Sequence, residues 1–371
     1  MSESAPPIPV AVVGLGWAAR EIWLPRLRRH PRFTVAAVVD PVTEARARVA
    51  ELAPGARAVA SIEDIDPAEA RFVVVAVPNH LHAAIGVGLL ERGHTVFIEK
   101  PVCLSSEEAR RLVEAEAAGG GVLLAGSAAR GRADVRALYE AVRGLGAIRH
   151  IDASWVRSRG VPGAGGWFTN GELAGGGALL DLGWHLLDVV GPLTGDADAE
   201  QVVGAVSADF LADARAAAGW RGDTDTGLAA GVDVEDTARG FLVYDNRISL
   251  ALRASWASHE EFDTTTVTVE GTAGTATLRC TFGFSPRRSG GSRLLLTRSG
   301  ETTAVPFAEE PIGTEYDRQL DDIADRLAAP DSKGRAAREA RRTVGVIERL
   351  YRSAGSPRHS AEPAAATRVT R

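Results

Sequence analysis

Residues 9–19 read PVAVVGLGWAA, an apolar run that ends in the pattern G-x-G-x-x-A and leads into the amphipathic stretch WAAREIWLPRLRRH (17–30). A strand, this pattern and a helix, in that order, are typical of a unit that binds a dinucleotide. Gly14 permits the tight turn, Gly16 lets the backbone approach a pyrophosphate, and the small Ala19 lets the helix pack closely on the strand. Such a match is weak by itself in a chain with 40 glycines, so the flanking sequence decides the fold.

The flanking sequence alternates short β-rich runs with amphipathic stretches. The further β-rich runs are FTVAAVVD (33–40), RFVVVAVP (71–78), TVFIEK (95–100) and a last one at 121–126. This alternation is expected of βαβ units on a parallel sheet. Ser105 followed by Glu108 forms a capping box that marks the start of one helix. We therefore predict an α/β fold with a Rossmann dinucleotide-binding domain over residues 8–126.

Beyond residue 126 the pattern changes to β-rich runs joined by Asn, Asp and Gly turns. These runs cover residues 147–157, 237–256, 265–280 and 293–307. Because hairpins of this kind build antiparallel sheets, we predict a substrate-binding α+β domain over residues 127–354 with a large, mainly antiparallel open sheet. The other predicted segments are closing helices at 314–328 and 335–352, an insertion at 212–231, and disordered ends at 1–7 and 355–371.

The composition excludes several classes of protein. A hydrophobic fraction of 45% with 24% charged residues is that of a folded globular protein, and 371 residues suffice for two domains. No apolar stretch approaches the roughly 20 residues of a membrane helix, and the first residues lack the features of a signal peptide. Cys103 and Cys280 are too few for a disulfide framework, and a net charge of -6 argues against nucleic acid as a partner. We expect a cytoplasmic protein with no metal, no nucleic acid and no membrane contact.

Polar residues follow the ends of the predicted strands, where ligands bind in open α/β folds. Asp40 ends the second strand, about 20 residues beyond the fingerprint, where an acidic side chain hydrogen-bonds the ribose hydroxyls of NAD and repels a 2′-phosphate. Its alternative role is that of a turn former ahead of Pro41. Pro78 and Asn79 are placed to meet the cofactor, although a plain strand-to-helix turn explains them almost as well.

Lys100 is one of only two lysines, the other being Lys333, in a chain whose other basic residues are arginines. It follows Glu99 at the end of TVFIEK, which places both residues at the ligand-binding edge of the sheet. Pro101 biases Lys100 toward an extended conformation, so the ammonium group is held in one direction. A solvated surface lysine is the alternative, but a compact charge in a chain that otherwise uses arginine indicates a function.

The stretch AGGGALLDLGWHLLDVV (174–190) predicts a largely buried helix with three ionisable residues on one face. Asp181, His185 and Asp188 are spaced i, i+4 and i+7 among leucines and valines. A histidine transfers protons near neutral pH, and a carboxylate one turn away can orient it. A core histidine satisfied by one of the aspartates is the alternative. Gly175–Gly177 allow close approach of a substrate or of the other domain.

Taken in order, these motifs resemble those of the Gfo/Idh/MocA oxidoreductases. The family pattern of G-x-G-x-x-G/A, T/V-P-N-x-x-H, E-K-P and G-G-G-x-L-x-D-x-G-x-H is matched at residues 14–19, 77–82, 99–101 and 175–185. The resemblance covers nearly the whole chain. It implies a Rossmann domain, a second domain whose open sheet supports a homo-oligomer such as a dimer or tetramer, and a substrate cleft between the domains.

The resemblance also implies the roles of individual residues. It makes Lys100, Asp181 and His185 the catalytic group, with His185 as the acid/base and Lys100 holding the reacting oxygen. NAD is the implied cofactor, and the residues expected to contact it are Gly14, Gly16, Trp17, Ala18, Ala19, Asp40, Pro78, Asn79, His82, Glu99 and Lys100. Ala19 replaces the third glycine of the fingerprint, and Trp17 is larger than the residue usual at its position.

The chemistry and the resemblance together favour an NAD-dependent dehydrogenase that oxidises a secondary hydroxyl of a sugar, aminoglycoside or cyclitol to a ketone. Arg157, Arg159, Trp167 and Asn170 offer hydrogen-bonding and stacking groups for such a ring, although surface or packing roles explain each about as well. The many Ala, Gly and Arg residues indicate a GC-rich genome, which fits an antibiotic-sugar pathway. The alternatives are a reductase of a nucleotide-linked keto-sugar, a non-catalytic NAD-responsive regulator on the same fold, and a glycosidase that uses NAD for transient oxidation.

Overall fold

The computed structural model describes residues 6–163, 166–218, 232–327 and 333–356 of the chain. Of the predicted disordered ends at 1–7 and 355–371, residues 1–5 and 357–371 lie outside the described residues, as do residues 219–231 of the predicted insertion. The described start of that insertion contains a short turn at Ala214–Ala216.

Residues 8–125 form a six-stranded sheet in which every pairing is parallel, as predicted. Its strands are β1 (Ile8–Val13), β2 (Phe33–Val39), β3 (Arg57–Val59), β4 (Phe72–Val75), β5 (Thr95–Ile98) and β6 (Leu123–Ala125). The connecting helices are α1 (Leu24–Arg29), α2 (Thr43–Arg48), α3 (His82–Glu91) and α4 (Ser106–Gly119). The spatial order β3-β2-β1-β4-β5-β6 changes direction between β1 and β4, which is where open α/β sheets bind ligands.

Local sequence chemistry explains how these elements begin and end. Every residue of β4 and of β5 is buried, as expected for apolar strands covered on both faces by helices. The Ser105 hydroxyl accepts a hydrogen bond from the Glu108 backbone N–H and so starts α4. The Glu108 carboxylate reaches back to the N–H of Leu104, one residue earlier than in the predicted capping box.

The second half forms an eight-stranded sheet in the order β14-β13-β12-β11-β7-β10-β9-β8. Its strands are β7 (Ile148–Val156), β8 (Ala199–Ser207), β9 (Thr237–Tyr244), β10 (Ser249–Ser255), β11 (Thr264–Gly271), β12 (Gly274–Cys280), β13 (Arg293–Arg298) and β14 (Glu301–Ala304). β7 and β10 pair in parallel, and the other pairings are antiparallel. The accompanying helices are α5 (Ala133–Val142), α6 (Gly171–Ala174), α7 (Trp184–Thr194), α8 (Thr314–Leu327) and α9 (Arg335–Ser353).

Helix α8 returns from the second half of the chain to the first sheet. Its Leu320 and Ile323 are buried in the same apolar cluster as Val10 and Val12 of β1. The side-chain amide of Gln319 also donates a hydrogen bond to a backbone carbonyl at the end of β6. One face of the first sheet is therefore covered by a helix that the sequence pattern assigns to the second domain.

Two π-helical turns interrupt the predicted regular helices. One spans Ala18–Trp23, directly after the glycine fingerprint, and the other spans Leu179–Gly183, directly before α7. Such turns change the register of the side chains that follow and are frequent at functional sites. The segment Gly171–Thr194 around the second turn is long and apolar enough to cross a membrane by length and composition alone, but 72% of its most apolar window is buried inside the molecule.

Candidate active site

A cavity of about 730 Å³ lies between the two sheets and collects most of the predicted site residues. From the part of the chain that forms the first sheet, its wall includes Gly14, Gly16, Trp17, Ala18, Asp40, Pro78, Asn79, His82, Glu99 and Lys100. From the part that follows this sheet, its wall includes Arg157, Trp167, Asp181 and His185. The structure thus brings the fingerprint, the E-K-P motif and the buried helix to one space.

The fingerprint turn has the shape that a pyrophosphate requires. Gly14 has a positive φ of 84°, and a Cβ atom there would lie 2.6 Å from Val77 Cγ1. A Cβ at Gly16 would meet nothing within 4 Å, so open space lies beside the backbone at the cavity wall. Ala19 is fully buried among apolar residues and packs the helix on the sheet rather than touching the cavity. These residues fit a dinucleotide, with Ala19 acting through packing.

Asp40 forms the turn after β2 and also lies on the cavity wall. Its Oδ2 accepts a hydrogen bond from the N–H of Leu15 at 3.0 Å, and its Oδ1 accepts one from the N–H of Val42 at 2.9 Å. The carboxylate therefore fixes the fingerprint turn and the turn after β2 to each other. Asp40 also lies on the cavity wall at the end of β2, so its predicted contact with the ribose of NAD stays a prediction.

Asn79 and His82 are anchored by hydrogen bonds that leave their polar atoms turned to the protein. The Asn79 side-chain amide donates to the carbonyl of Ala174 at 2.9 Å. His82 Nδ1 lies 2.6 Å from the Pro101 carbonyl and Nε2 lies 2.9 Å from the Val77 carbonyl, and burial lowers the pKa of this histidine. Both side chains thus connect loops at the strand ends and also line the cavity, so the predicted cofactor contact through them stays a prediction.

Lys100 and Asp181 form an ion pair at the cavity wall. Lys100 Nζ lies 2.6 Å from Asp181 Oδ1, and the indole Nε1 of Trp256 donates to Asp181 Oδ2 at 2.9 Å. Glu99 is turned to the protein interior, where it accepts hydrogen bonds from Trp23 Nε1 and from the N–H of Lys100, and burial raises its pKa. The Lys100–Pro101 peptide bond is cis.

The charges around this pair keep the carboxylate ionised and the imidazole neutral. Burial by itself raises the pKa of Asp181, but Lys100 and Arg157 outweigh it and hold that pKa below its ordinary range. Burial, together with the positive charges of Lys100 and Arg157, lowers the pKa of His185 to about 3, although Asp181 opposes the shift. At neutral pH the imidazole is therefore able to accept a proton.

Asp188 does not share the cavity with Asp181 and His185, which corrects the predicted single face. Arg130, in the turn after β6, forms an ion pair with Asp188 Oδ1 at 2.7 Å and donates through Nε to the Asp188 backbone carbonyl at 2.9 Å. The π-helical turn at 179–183 changes the helical register between Asp181 and Asp188, and α7 continues past the cavity.

The predicted substrate residues divide into two groups. Arg157 is buried on the cavity wall with its guanidinium carbon 5.1 Å from the centroid of the Trp155 ring, and Trp167 also lies on the wall. Asn170 instead caps α6, accepting hydrogen bonds from the N–H groups of Glu172 and Leu173. Arg159 is exposed, and among the described residues neither it nor Asn170 belongs to the wall. Their predicted substrate role is corrected accordingly.

Sequence reasoning missed the aromatic residues that complete the site. Trp256 binds Asp181, and Trp155 packs against His185 with ring centroids 5.5 Å apart. A signal for both was present, since the triplet Ala-Ser-Trp occurs at 153–155 and again at 254–256, at the ends of the two parallel-paired strands. Further wall residues from the loop after β12 and from α8 carried no motif. They include Phe282, Phe284, Tyr316 and Gln319.

Two family models match the chain and cover both halves of this site. The oxidoreductase family with an NAD-binding Rossmann fold matches residues 8–127, and the Gfo/Idh/MocA C-terminal domain matches residues 135–277. The chain belongs to the Gfo/Idh/MocA oxidoreductase family. The resemblance in the motifs, the two-sheet fold class and the NAD-binding character of the first domain are thereby confirmed.

Relatives of the chain within this family include enzymes named for sugar chemistry. A protein of Amycolatopsis mediterranei (strain S699), provisionally named a UDP-kanosamine synthase oxidoreductase subunit, is 53% identical over 348 residues, 94% of this chain and 96% of that protein. The D-glucoside 3-dehydrogenase of Escherichia coli (strain K12) is 33% identical over 190 residues, 49% of this chain and 52% of that protein. Among solved structures, GenD2 from gentamicin A biosynthesis in complex with NAD has a TM-score of 0.74 at 25% identity, covering 96% of each chain.

Proposed function

We propose that the protein is an NAD-dependent dehydrogenase that oxidises a secondary hydroxyl group of a sugar to a ketone. The observation that carries this proposal is the convergence of Lys100, Asp181 and His185 on the wall of the same cavity that the glycine fingerprint lines. The part of the chain that forms the first sheet supplies the cofactor turn and the lysine. The part that follows this sheet supplies the aspartate and the histidine.

The chain's own residues supply what alcohol oxidation needs beyond the cofactor. NAD, when bound, provides the hydride acceptor. Neutral His185 accepts the hydroxyl proton, and Lys100 donates a hydrogen bond to the same oxygen as negative charge develops on it. The Lys100 charge lowers the pKa of His185, and it also lowers the pKa of the substrate hydroxyl because it stabilises the alkoxide. The pKa values of the proton acceptor and the proton donor therefore shift in the same direction.

Asp181 acts as the positioning residue for the Lys100 ammonium group. Its two oxygens are bound by Lys100 Nζ and by Trp256 Nε1, so the ammonium group is held at a fixed position on the wall. Arg157 adds positive charge nearby and keeps the carboxylate ionised. A fixed cation is worth more to a developing oxyanion than a mobile one, since no reorganisation is needed during the reaction.

The proposed cofactor preference is NAD over NADP. Both oxygens of Asp40 are held by backbone N–H groups at the cavity wall, so the carboxylate cannot swing away from a 2′-phosphate. Two like charges at that distance repel in a partly dry site. A lower KM for NADP with an equal or higher kcat would contradict this assignment.

For the substrate we propose a hexose, either free or carried on a nucleotide diphosphate, whose new ketone is afterwards aminated. The support is the name of the 53% identical relative, since kanosamine is a glucose with an amino group in place of one hydroxyl. Reduction of a nucleotide-linked keto-sugar is the reverse of this reaction and uses the same residues, but the lowered pKa of His185 favours its role as proton acceptor in oxidation. We place the reaction in the cytoplasm, in an antibiotic-sugar pathway.

The decisive experiment incubates the purified protein with NAD or NADP and a panel of UDP-glucose, glucose, a glucoside and myo-inositol. Hydroxylamine is included to trap the ketone, and NADH is followed by absorbance. NADH formation with a trapped oxime supports the dehydrogenase, whereas hydrolysis of the glucoside without net NADH indicates the glycosidase. NAD binding without turnover of any panel member, in either direction, indicates the regulator and overturns the proposal.

We also propose that the open face of the second sheet forms a homo-oligomer contact. Val203 on β8 and Phe241 on β9 are 64% and 47% exposed, and they are register partners on neighbouring strands. Adjacent exposed apolar side chains on a sheet face favour association of two copies. Light scattering after size-exclusion chromatography should give a dimer or tetramer that Phe241→Asp dissociates, and a monomeric parent protein would contradict the contact.

A further inference from the structure

A second cavity, of about 660 Å³, lies between α7, α9 and the start of β8. Among the described residues it shares no wall residue with the first cavity. Six arginines and three acidic residues line it, although the whole chain carries a net charge of -6. A concave wall of this size is typical of a small-molecule site, and an excess of cations selects an anion.

Three neighbouring arginines on α9 offer the donors for such an anion. Arg338, Arg341 and Arg342 are spaced i, i+3 and i+4, so their side chains meet on the helix surface and their like charges repel. Within the part of the chain that the structure describes, the guanidinium groups of Arg338 and Arg341 make no hydrogen bond or ion pair. Arg342 pairs with Asp196, whose side chain is 94% exposed, so solvent weakens that pair.

The remaining wall residues give this cavity a rigid frame. Arg335 pairs with Glu339, and the Arg349 guanidinium donates hydrogen bonds to the backbone carbonyls of Ala199 and Glu200. The planar guanidinium group matches the geometry of phosphate oxygens and binds them with paired hydrogen bonds. We propose that this cavity binds a small molecule that carries a phosphate group and that the occupied cavity acts on the catalytic helix.

Arg130 provides the physical connection between the two cavities. It lies on the wall of the second cavity, where it pairs with Glu339 at 2.9 Å, and it also holds the side chain and the backbone carbonyl of Asp188. Asp188 follows His185 by three residues on the same helix. An anion that attracts Arg130 weakens its contacts with Asp188, so occupancy of the second cavity changes how firmly α7 is held.

Binding is tested by isothermal titration calorimetry on the NAD-saturated protein, with inorganic pyrophosphate and UTP as separate probes. We expect saturable binding that Arg338→Gln/Arg341→Gln weakens by at least about tenfold, because two charge-assisted contacts are lost. Arg352→Gln is the matched control, since Arg352 is an exposed arginine of α9 outside the cavity wall. Tighter binding of UTP identifies a nucleotide as the ligand class, and equal binding identifies free phosphate chemistry.

The absence of saturable binding of both probes overturns the site, as does binding that the double variant retains unchanged. The action on α7 is read by hydrogen–deuterium exchange of peptides covering residues 184–194, with and without saturating pyrophosphate. We expect pyrophosphate to make exchange in these peptides faster in the parent protein and to leave it unchanged in the double variant. Binding without any change in exchange overturns the action on α7. Neither measurement requires turnover, so a failure of the proposed dehydrogenase function leaves both tests intact.

Discussion

Two partly buried ion pairs hold the helical segment 181–188, one at each end. Lys100 Nζ lies 2.6 Å from Asp181 Oδ1, and Arg130 Nη2 lies 2.7 Å from Asp188 Oδ1. Both cations follow strands of the first sheet, and both carboxylates belong to the same helical segment. The difference lies in the remaining donors. Arg130 also donates to a backbone carbonyl and to Glu339, whereas the described partner of the Lys100 ammonium is Asp181 alone.

The pKa values of the two carboxylates are shifted in opposite directions. Asp181 is surrounded by Lys100, Arg157 and the Trp256 indole, and its pKa lies below the ordinary range in spite of burial. Burial and the negative charge of Glu339 together raise the pKa of Asp188 to about 6, since the positive charge of Arg130 compensates only in part. A cation with one protein partner keeps donors for a ligand, whereas a cation with several protein partners fixes structure. The first pair is therefore the one to which we assign the proposed catalytic role.

The largest difference between the two ion pairs is expected when the proposed proton acceptor beside the Lys100–Asp181 pair is removed. His185→Ala should reduce kcat by about 10²–10⁴-fold, the range typical of a positioned acid/base. NAD affinity, measured by fluorescence titration, should stay near the parent value because the fingerprint turn is unchanged. Retention of most activity by a folded variant would return His185 to the role of a core histidine.

The second prediction concerns a variant in which the first ion pair has an arginine as its cation, as the second pair does. Lys100→Arg preserves the charge but replaces a compact ammonium with a fork that displaces the substrate oxygen. Since misplacement of about 1 Å costs on the order of 10²-fold, kcat should fall by about that factor while NAD still binds.

The matched control for this variant is the other lysine of the chain. Lys333 is exposed just before α9, so Lys333→Arg should leave kcat and NAD affinity unchanged. If Lys100→Arg were as active as Lys333→Arg, the compact donor would have no role in the reaction.

The sequence predicted the first pair better than the second for a physical reason. Lys100 and Asp181 lie in short motifs whose residue types are set by chemistry, and parallel strands bring their ends to one edge of the sheet. The partner of Asp188 is Arg130, which lies 58 positions away in a chain rich in arginine, so no local pattern singles it out. The π-helical turn at 179–183 and the return of α8 to the first sheet depend on packing between distant segments, which periodicity does not report.

The third prediction separates the two aspartates. Asp181→Asn should lose most of kcat because it releases Lys100 from its position, whereas Asp188→Asn should keep kcat close to the parent value. The effect of Asp188 appears in stability. Its pKa of about 6 in the folded protein exceeds the ordinary value of 3.8, so the folded state binds the proton more tightly and loses stability as pH rises from about 4 to 6.

The loss is measured as the difference in unfolding free energy between the parent protein and Asp188→Asn in urea at several pH values. The unfolding free energy of the parent protein, relative to that of Asp188→Asn, should fall by up to about 3 kcal/mol between pH 4 and pH 7. A difference that is independent of pH would show that Asp188 is ionised throughout, and that the two ion pairs are electrostatically alike.

The smallest expected effect is the absence of an acid limb in the pH profile. Because the pKa of His185 is lowered to about 3, the imidazole stays neutral from about pH 5 to pH 8, and kcat/KM for oxidation should not fall with the protonation of this residue. A histidine with the ordinary pKa of about 6.5 would lose roughly thirtyfold at pH 5. Initial rates of NADH formation across this range test the point, with Asp188→Asn measured in parallel because Asp188 titrates near pH 6. An acid limb with a midpoint near 6 that disappears in Asp188→Asn would assign the proton to the second ion pair, whereas a midpoint near 6.5 in both proteins would show that the charges of Lys100 and Arg157 do not reach His185.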